Sequence, residues 1–149
     1  MKINPFLTFD GNCSEALKYY AQIFGGVEEH VQTYGYHKDH VEEEFGIKVS
    51  PEWADKIQHA SFVLPHSGEK IYLRDRAENE TITNGCASAY AIEFSCQPDL
   101  DRVYNALAEE GTVVVPLKKV FWHAMYAEVI DKYKKHWVLN CQIVSILDN

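Results

Sequence analysis

The chain carries one strand–helix unit twice, and that repeat constrains its fold more than any other feature. The first copy reads INPFLTFDGNCSEALKYYAQIFGGV, from Ile3 to Val27, and the second SAYAIEFSCQPDLDRVYNALAEEGTV, from Ser88 to Val113. Each passes from an apolar strand through a polar turn with a cap residue into an amphipathic helix. Each helix stops at glycine before another strand. Two copies of a half-domain are expected to build one cleft between them, and function is sought there.

A length of 149 residues suits a single domain, with module 1 at about 1–80 and module 2 at about 86–149. The hydrophobic share of 46% and the charged share of 24% are ordinary for a soluble globular chain. Fourteen basic residues against 22 acidic ones give a formal net charge of -8. No basic run offsets it, which argues against nucleic acid and anionic membranes as partners. A small-molecule ligand or a protein partner remains. No long apolar segment and no signal-peptide pattern is present, so cytoplasmic residence is expected.

Asn12 with Glu15 three residues later reads as a capping box, opening a helix with Ala16, Leu17, Tyr20, Ile23 and Phe24 on one face. Gly25-Gly26 ends it, and 27–36 resumes as a strand. The charged stretch 37–55, with Glu42-Glu43-Glu44, Gly46 and Pro51, reads as a long surface excursion with short helical turns at 39–45 and 51–55. Loops of this length in compact domains are often lids or binding loops. Strands at 57–64 and 70–74 form a hairpin about His66-Ser67-Gly68, and 75–85 links the halves. The second half repeats the plan. A strand at 89–95 precedes a helix with Pro98 near its first position and Leu100, Val103, Tyr104 and Leu107 buried; Gly111 stops it. Strands at 112–120, 122–130 and 136–143 follow. Each helix is expected on one sheet face, leaving the other free.

Cys13, Cys86, Cys96 and Cys141 show no CxxC spacing and read as reduced, mostly buried thiols. Cys13 is the one to watch, because a helix N-terminus lowers a thiol pKa.

Three stretches resemble the vicinal oxygen chelate superfamily of glyoxalases, bleomycin-resistance proteins and extradiol dioxygenases, in its PhnB-like branch. They are PFLTFDGNCSEALKYYAQIF (5–24), IQHASFVLPHSGEKIYLRD (57–75) and DKYKKHWVLN (131–140). The resemblance implies an α+β fold of paired βαβββ modules, a curved mixed sheet around a cleft, and a homodimer. The chain departs from the pattern in two places. Lys134 stands where the closing turn usually has glycine, so the turn must tolerate a side chain or change shape. Residues 122–127, WHAMYA, replace a stretch often written with glycines. Proteins of this branch are sometimes labelled demethylubiquinone methyltransferases. No glycine-rich S-adenosylmethionine loop follows a strand here, and that label is discounted.

Enzymes of the superfamily usually hold a divalent metal with His and Glu from both modules. Matching by motif places Pro5, Tyr72, Tyr90 and Val138 at those positions. None is a histidine or carboxylate, so no metal and no other cofactor is expected. Glu93 and His136 are the nearest substitutes, and strand alternation turns a one-residue neighbour to the opposite face. His37-x-x-His40 with the following glutamates could bind zinc or nickel on a helix; the bland reading, a solvated loop, is favoured. His59 reads either as a pocket acid/base or as a partly buried imidazole bonded to a neighbouring strand. Arg74 is either an anion clamp or one half of a surface ion pair. Tyr72, Tyr90, Trp122 and Tyr126 complete the ligand-pocket candidates as an aromatic lining, although aromatics on strands are more often core. No nucleophile elbow or phosphate loop is present. The expected function is metal-free small-molecule binding. The alternative is a divalent-metal-dependent lyase, isomerase or dioxygenase using displaced ligands such as His59, Glu93 or His136. A third possibility is an interaction module acting through 37–55.

Overall fold

The computed structural model describes residues 1–83, 85 and 87–143. Asn84, Cys86 and 144–149 lie outside the described residues. The chain divides into two compact units, Met1–Thr83 and Asn84–Asn149.

Unit 1 runs β1 (Phe6–Phe9), α1 (Cys13–Phe24), β2 (Val27–Thr33), α2 (Lys38–Phe45), β3 (Ile57–Val63) and β4 (Lys70–Asp75). Its strands form one sheet in the order β1-β4-β3-β2. The β1/β4 pair is parallel and the others antiparallel. Unit 2 runs β5 (Tyr90–Phe94), α3 (Gln97–Ala108), β6 (Thr112–Val120), β7 (Ala124–Ile130) and β8 (His136–Gln142). Its order, β5-β8-β7-β6, reproduces that of unit 1 with β5 and β8 parallel. The fold is therefore α+β, and the repeat seen in the sequence is a repeat of topology.

The reason lies in the two periodicities. Ala16, Leu17, Tyr20 and Ile23 recur at helical spacing and are buried along one side of α1. Leu7 and Phe9, Ala60 and Phe62, and Ile71 and Leu73 alternate along their strands and are buried as well. Phe62, Phe24 and Tyr20 pack against one another, with centroids 6.1 Å apart for Phe62–Phe24, 6.5 Å for Phe62–Tyr20 and 6.1 Å for Tyr20–Phe24. Burying a side chain of that size contributes about 1.5–3 kcal/mol. In unit 2, Leu100, Val103 and Leu107 of α3 are buried, as are Ala127 and Val129 of β7 and Trp137 and Leu139 of β8. Tyr104, expected with them, is only half-buried.

The helix ends follow backbone rules. Gly25 caps α1 in the left-handed region at φ 71°. Gly111 follows α3 where a Cβ would meet the Ile130 carbonyl at 2.5 Å and that of Leu107 at 2.6 Å, so only glycine fits. The start of α1 differs from expectation. Asn12 occupies the N-cap without a side-chain cap bond, so there is no capping box. A buried carboxylate from β4 takes the role: Asp75 Oδ1 accepts the Cys13 N–H at 2.9 Å.

The 37–55 excursion is not a loose loop. Its α2 helix and the turns at 51–55 fold around Tyr34, Val41 and Val49, with Ile47, Trp53 and Ala54 packed against them. The Tyr34 hydroxyl donates to the Asp75 carbonyl at 2.8 Å. The stretch after β4 is anchored too. Arg76 lies over the Trp53 ring, 4.4 Å from its centroid, and bonds Asp10, while Glu78 accepts the Ser50 N–H at 2.9 Å. Trp122, expected to open a strand, lies in a turn at 121–123, and β7 begins at Ala124.

Candidate functional site

Strand alternation sorts the candidate residues onto faces. In unit 1, Leu7, Phe9, Phe62 and Leu73 point to α1. Their neighbours along the strands point away. The register puts Phe6 opposite Tyr72, Thr8 opposite Arg74, and Ser61 opposite Tyr72. Phe6, His59 and Tyr72 come together there. Their ring centroids are 6.2 Å apart for Phe6–His59, 6.0 Å for Phe6–Tyr72 and 5.5 Å for His59–Tyr72. Phe6 is 48% exposed. Burial pushes the His59 imidazole below its ordinary value, and the charge of His30 adds to the shift, so at neutral pH the ring is uncharged. His59 thus joins an aromatic trio. Phe6 went unnoticed in the sequence, although the alternation in Phe6-Leu7-Thr8-Phe9 places it opposite to the core residues.

Arg74 has a different employment from an anion clamp. Its Nη1 and Nη2 donate to both Glu80 oxygens, at 2.8 and 2.7 Å. The paired guanidinium holds the Glu80 carboxyl well down, to about 2. The guanidinium fork is thereby filled by the chain's own carboxylate, and the contact fastens the segment after β4.

In unit 2 the aromatic candidates separate. Tyr90 shares the face of its register partner Trp137, 5.3 Å between centroids, on the buried side of β5. Trp122 and Tyr126 meet edge to face at 5.1 Å on the other side of the sheet. One register row crosses that face: Glu93 on β5, Asn140 on β8, Tyr126 on β7 and Lys118 on β6. Trp122 Nε1 donates to Asn140 Oδ1 at 3.1 Å, and Asn140 Nδ2 donates to Glu93 Oε2 at 2.9 Å. Gln142 Nε2 donates to the His123 carbonyl at 3.1 Å and pins the turn that carries Trp122. In the next row Glu128 lies opposite Val138, and its carboxylate is 3.8 Å from His136 Nε2. Burial, and then the charge of Glu128, raise the Tyr126 phenol. Asn140 was missed in the sequence; its spacing of two from Val138 is the available signal.

The four positions matched to a metal quartet can be tested on their chemistry. Pro5 offers only a carbonyl, and that accepts the Tyr72 N–H at 3.0 Å. Val138 has no donor atom. Tyr72 packs in the aromatic trio and Tyr90 against Trp137. These residues do not fit a divalent-metal quartet. Among the described residues, no three His, Cys, Asp or Glu side chains form a group able to hold a metal ion. In the His37–His40 pair, His37 Nε2 lies 2.6 Å from Gln32 Oε1 and His40 lies 3.9 Å from Glu44.

Cys13, picked out for a helix-start thiol, is fully buried. Burial, and then the Asp75 charge, push its thiol far up, so the helix terminus does not activate it. Cys141 is buried and Cys96 exposed, while Cys86 lies outside the described residues.

With fold and faces in place, comparison with known proteins decides the family. The sequence profile of the 3-demethylubiquinone-9 3-methyltransferase family matches residues 1–140. The chain belongs to that family. The fold is also that of a solved glyoxylase/bleomycin resistance protein/dioxygenase domain from Frankia sp. EAN1pec, 15% identical, with a TM-score of 0.63 over 96% of this chain and 98% of that one. Among its relatives, protein YjdN of Escherichia coli K12 is 22% identical over 144 residues, covering 94% of this chain and 95% of YjdN. The crystal structure of PA1353 from Pseudomonas aeruginosa is 28% identical, with a TM-score of 0.79 over 95% of this chain and 98% of that one. A PhnB protein structure from Bacillus cereus is 24% identical, with a TM-score of 0.73 over 95% and 99%. The family description does not carry an activity over to this chain, because the superfold hosts many chemistries. No helix among the described residues is long and apolar enough to cross a membrane.

Proposed function

We propose that this PhnB-like chain is a metal-independent small-molecule-binding protein whose ligands rest on a sheet face turned away from a helix, that of unit 1 away from α1 or that of unit 2 away from α3. The observation that carries the reading is the Phe6–His59–Tyr72 trio, three rings within 6.2 Å of one another on the face away from α1. Clustered rings left partly in water form a surface that gains free energy when a planar or apolar molecule covers it. An uncharged His59 suits such a surface. The poor fit of Pro5, Tyr72, Tyr90 and Val138 to a metal quartet supports the same reading. Cytoplasmic residence and homodimerisation are part of the proposal, and both rest on the likeness to the superfamily.

A set of planar aromatic compounds screened by thermal shift tests it. Binders should raise the melting temperature of the wild type, and the shift should shrink in Phe6→Ala and Tyr72→Ala. Elemental mass spectrometry after supplying Ni, Zn, Mn or Fe(II) supplies the opposing arm. Stoichiometric metal that is lost in His59→Ala or Glu93→Gln overturns the reading in favour of a metal-dependent lyase, isomerase or dioxygenase.

A further inference from the structure

We infer that the face of unit 2 turned away from α3 binds an organic cation, an ammonium or alkylated amine, at the Trp122–Tyr126 corner between the Glu93 and Glu128 carboxylates. The inference rests on the small-molecule reading above and names the ligand class for one face.

Three observations carry it. First, the aromatic corner is open and fixed. Trp122 is 40% exposed, yet its indole N–H is bonded to Asn140, and its backbone turn is held by Gln142. An exposed tryptophan held by its only polar atom presents its ring in a set orientation. Second, Trp122 stands perpendicular to Tyr126 at 5.1 Å and to the exposed Phe121 at 4.9 Å, so three rings in crossed planes offer π-density to a compact cation at this corner. Third, carboxylates flank the corner in adjacent register rows. Glu93 is exposed and oriented through one oxygen by Asn140, and Glu128 lies one row along. The charges facing these rows are Glu93, Glu128 and Lys118; Glu128 is bonded by the Tyr126 hydroxyl and has His136 beside it, Lys118 lies opposite Tyr126, and the two carboxylates outnumber the single ammonium. An anion placed there would meet both carboxylates. A cation satisfies both the rings and the carboxylates.

The test uses choline as the cation and 3,3-dimethylbutan-1-ol as its uncharged isostere. Binding is read on the indole N–H resonance of Trp122 in the full chain, assigned by its loss in Trp122→Phe. Choline should move that resonance saturably, with the alcohol weaker by about tenfold, equivalent to about 1.4 kcal/mol. Glu93→Gln keeps an oxygen for Asn140 and removes only the charge; choline should bind it at least about fivefold more weakly. Equal shifts from choline and the alcohol, or unchanged choline affinity in Glu93→Gln, overturn the inference. An absent choline shift overturns it too. The aromatic-compound screen with Phe6→Ala and Tyr72→Ala then shows separately whether the small-molecule reading stands.

Discussion

Asp75 Oδ1 accepts the backbone N–H of Cys13 at 2.9 Å across 62 residues of chain, while Oδ2 accepts that of Ile57 at 2.8 Å. One buried carboxylate therefore starts both α1 and β3, binding the helix and the sheet to one point. Local side chains usually cap a helix start; here the cap comes from the end of β4. Unit 2 has its own buried carboxylate with a comparable role. Asp131 accepts the N–H groups of Tyr133 and Lys135 through Oδ1 and the Trp137 indole through Oδ2, all within 3.0 Å.

Asp75→Ala leaves two backbone N–H groups without their acceptor in the interior. The expected loss is about 2–4 kcal/mol, read as a lower urea midpoint. Asp75→Asn keeps one acceptor and should lose less. If Ala and Asn lose equally little, the carboxylate does not cap the helix.

The Arg74–Glu80 pair sets an acid dependence. The carboxyl of Glu80 is held down to about 2 in the folded chain against an ordinary 4.5. A depressed acid stabilises the fold above its unfolded value and loses that contribution as pH falls towards the folded one. Glu80→Gln should cost about 0.5–1 kcal/mol at pH 7, because Glu80 is 36% exposed and solvent screens the pair. The difference from wild type should close between pH 4.5 and 2, measured by urea titration across that window. A gap that persists at pH 2 argues against the pairing.

Lys134 sits at φ 68° in the turn that closes between β7 and β8, with its N–H bonded to the Asp131 carbonyl at 2.9 Å. The turn keeps the left-handed shape that glycine would take and accepts a side chain there. Lys134→Gly should stabilise by about 1 kcal/mol, seen as a rise in melting temperature. A fall would show that the lysine side chain supports the turn.

The thiols should react unequally. In the folded chain at pH 8, maleimide followed by peptide mass mapping should label Cys96 and spare Cys13, which labels only after urea. Rapid native labelling of Cys13 would contradict its burial.

His59 should titrate below 6.5 in an NMR experiment, because the ionised ring is penalised by burial and by His30. His30→Gln should raise the midpoint only slightly, burial being the larger cause. A midpoint above 6.5 would place a negative group beside the ring.

Much of this was legible beforehand. The duplicated strand–helix pattern carried the fold class, since periods of 3.6 and 2 assign core faces without any contact being known. Burial of Leu100, Val103 and Leu107 followed from their spacing alone. That Pro5 and Val138 lack ligating side chains is a property of residue type.

Tertiary structure decided what depends on partners remote in the chain. Arg74 is a nearer case: Glu80 is six residues on, but only the folded path of the chain after β4 turns its carboxylate back into the guanidinium fork. Cys13 stands at a helix start by sequence, but the layer above it buries the thiol beside Asp75. The expected candidates Tyr90 and Tyr126 are both strand aromatics. Register alone puts Tyr90 against Trp137 and Tyr126 beside Trp122 on the opposite side of the sheet. The sequence determines which residues alternate, because alternation is a property of one strand. Which neighbour each residue meets is set by pairing between strands, and a one-residue change of register would reverse every face.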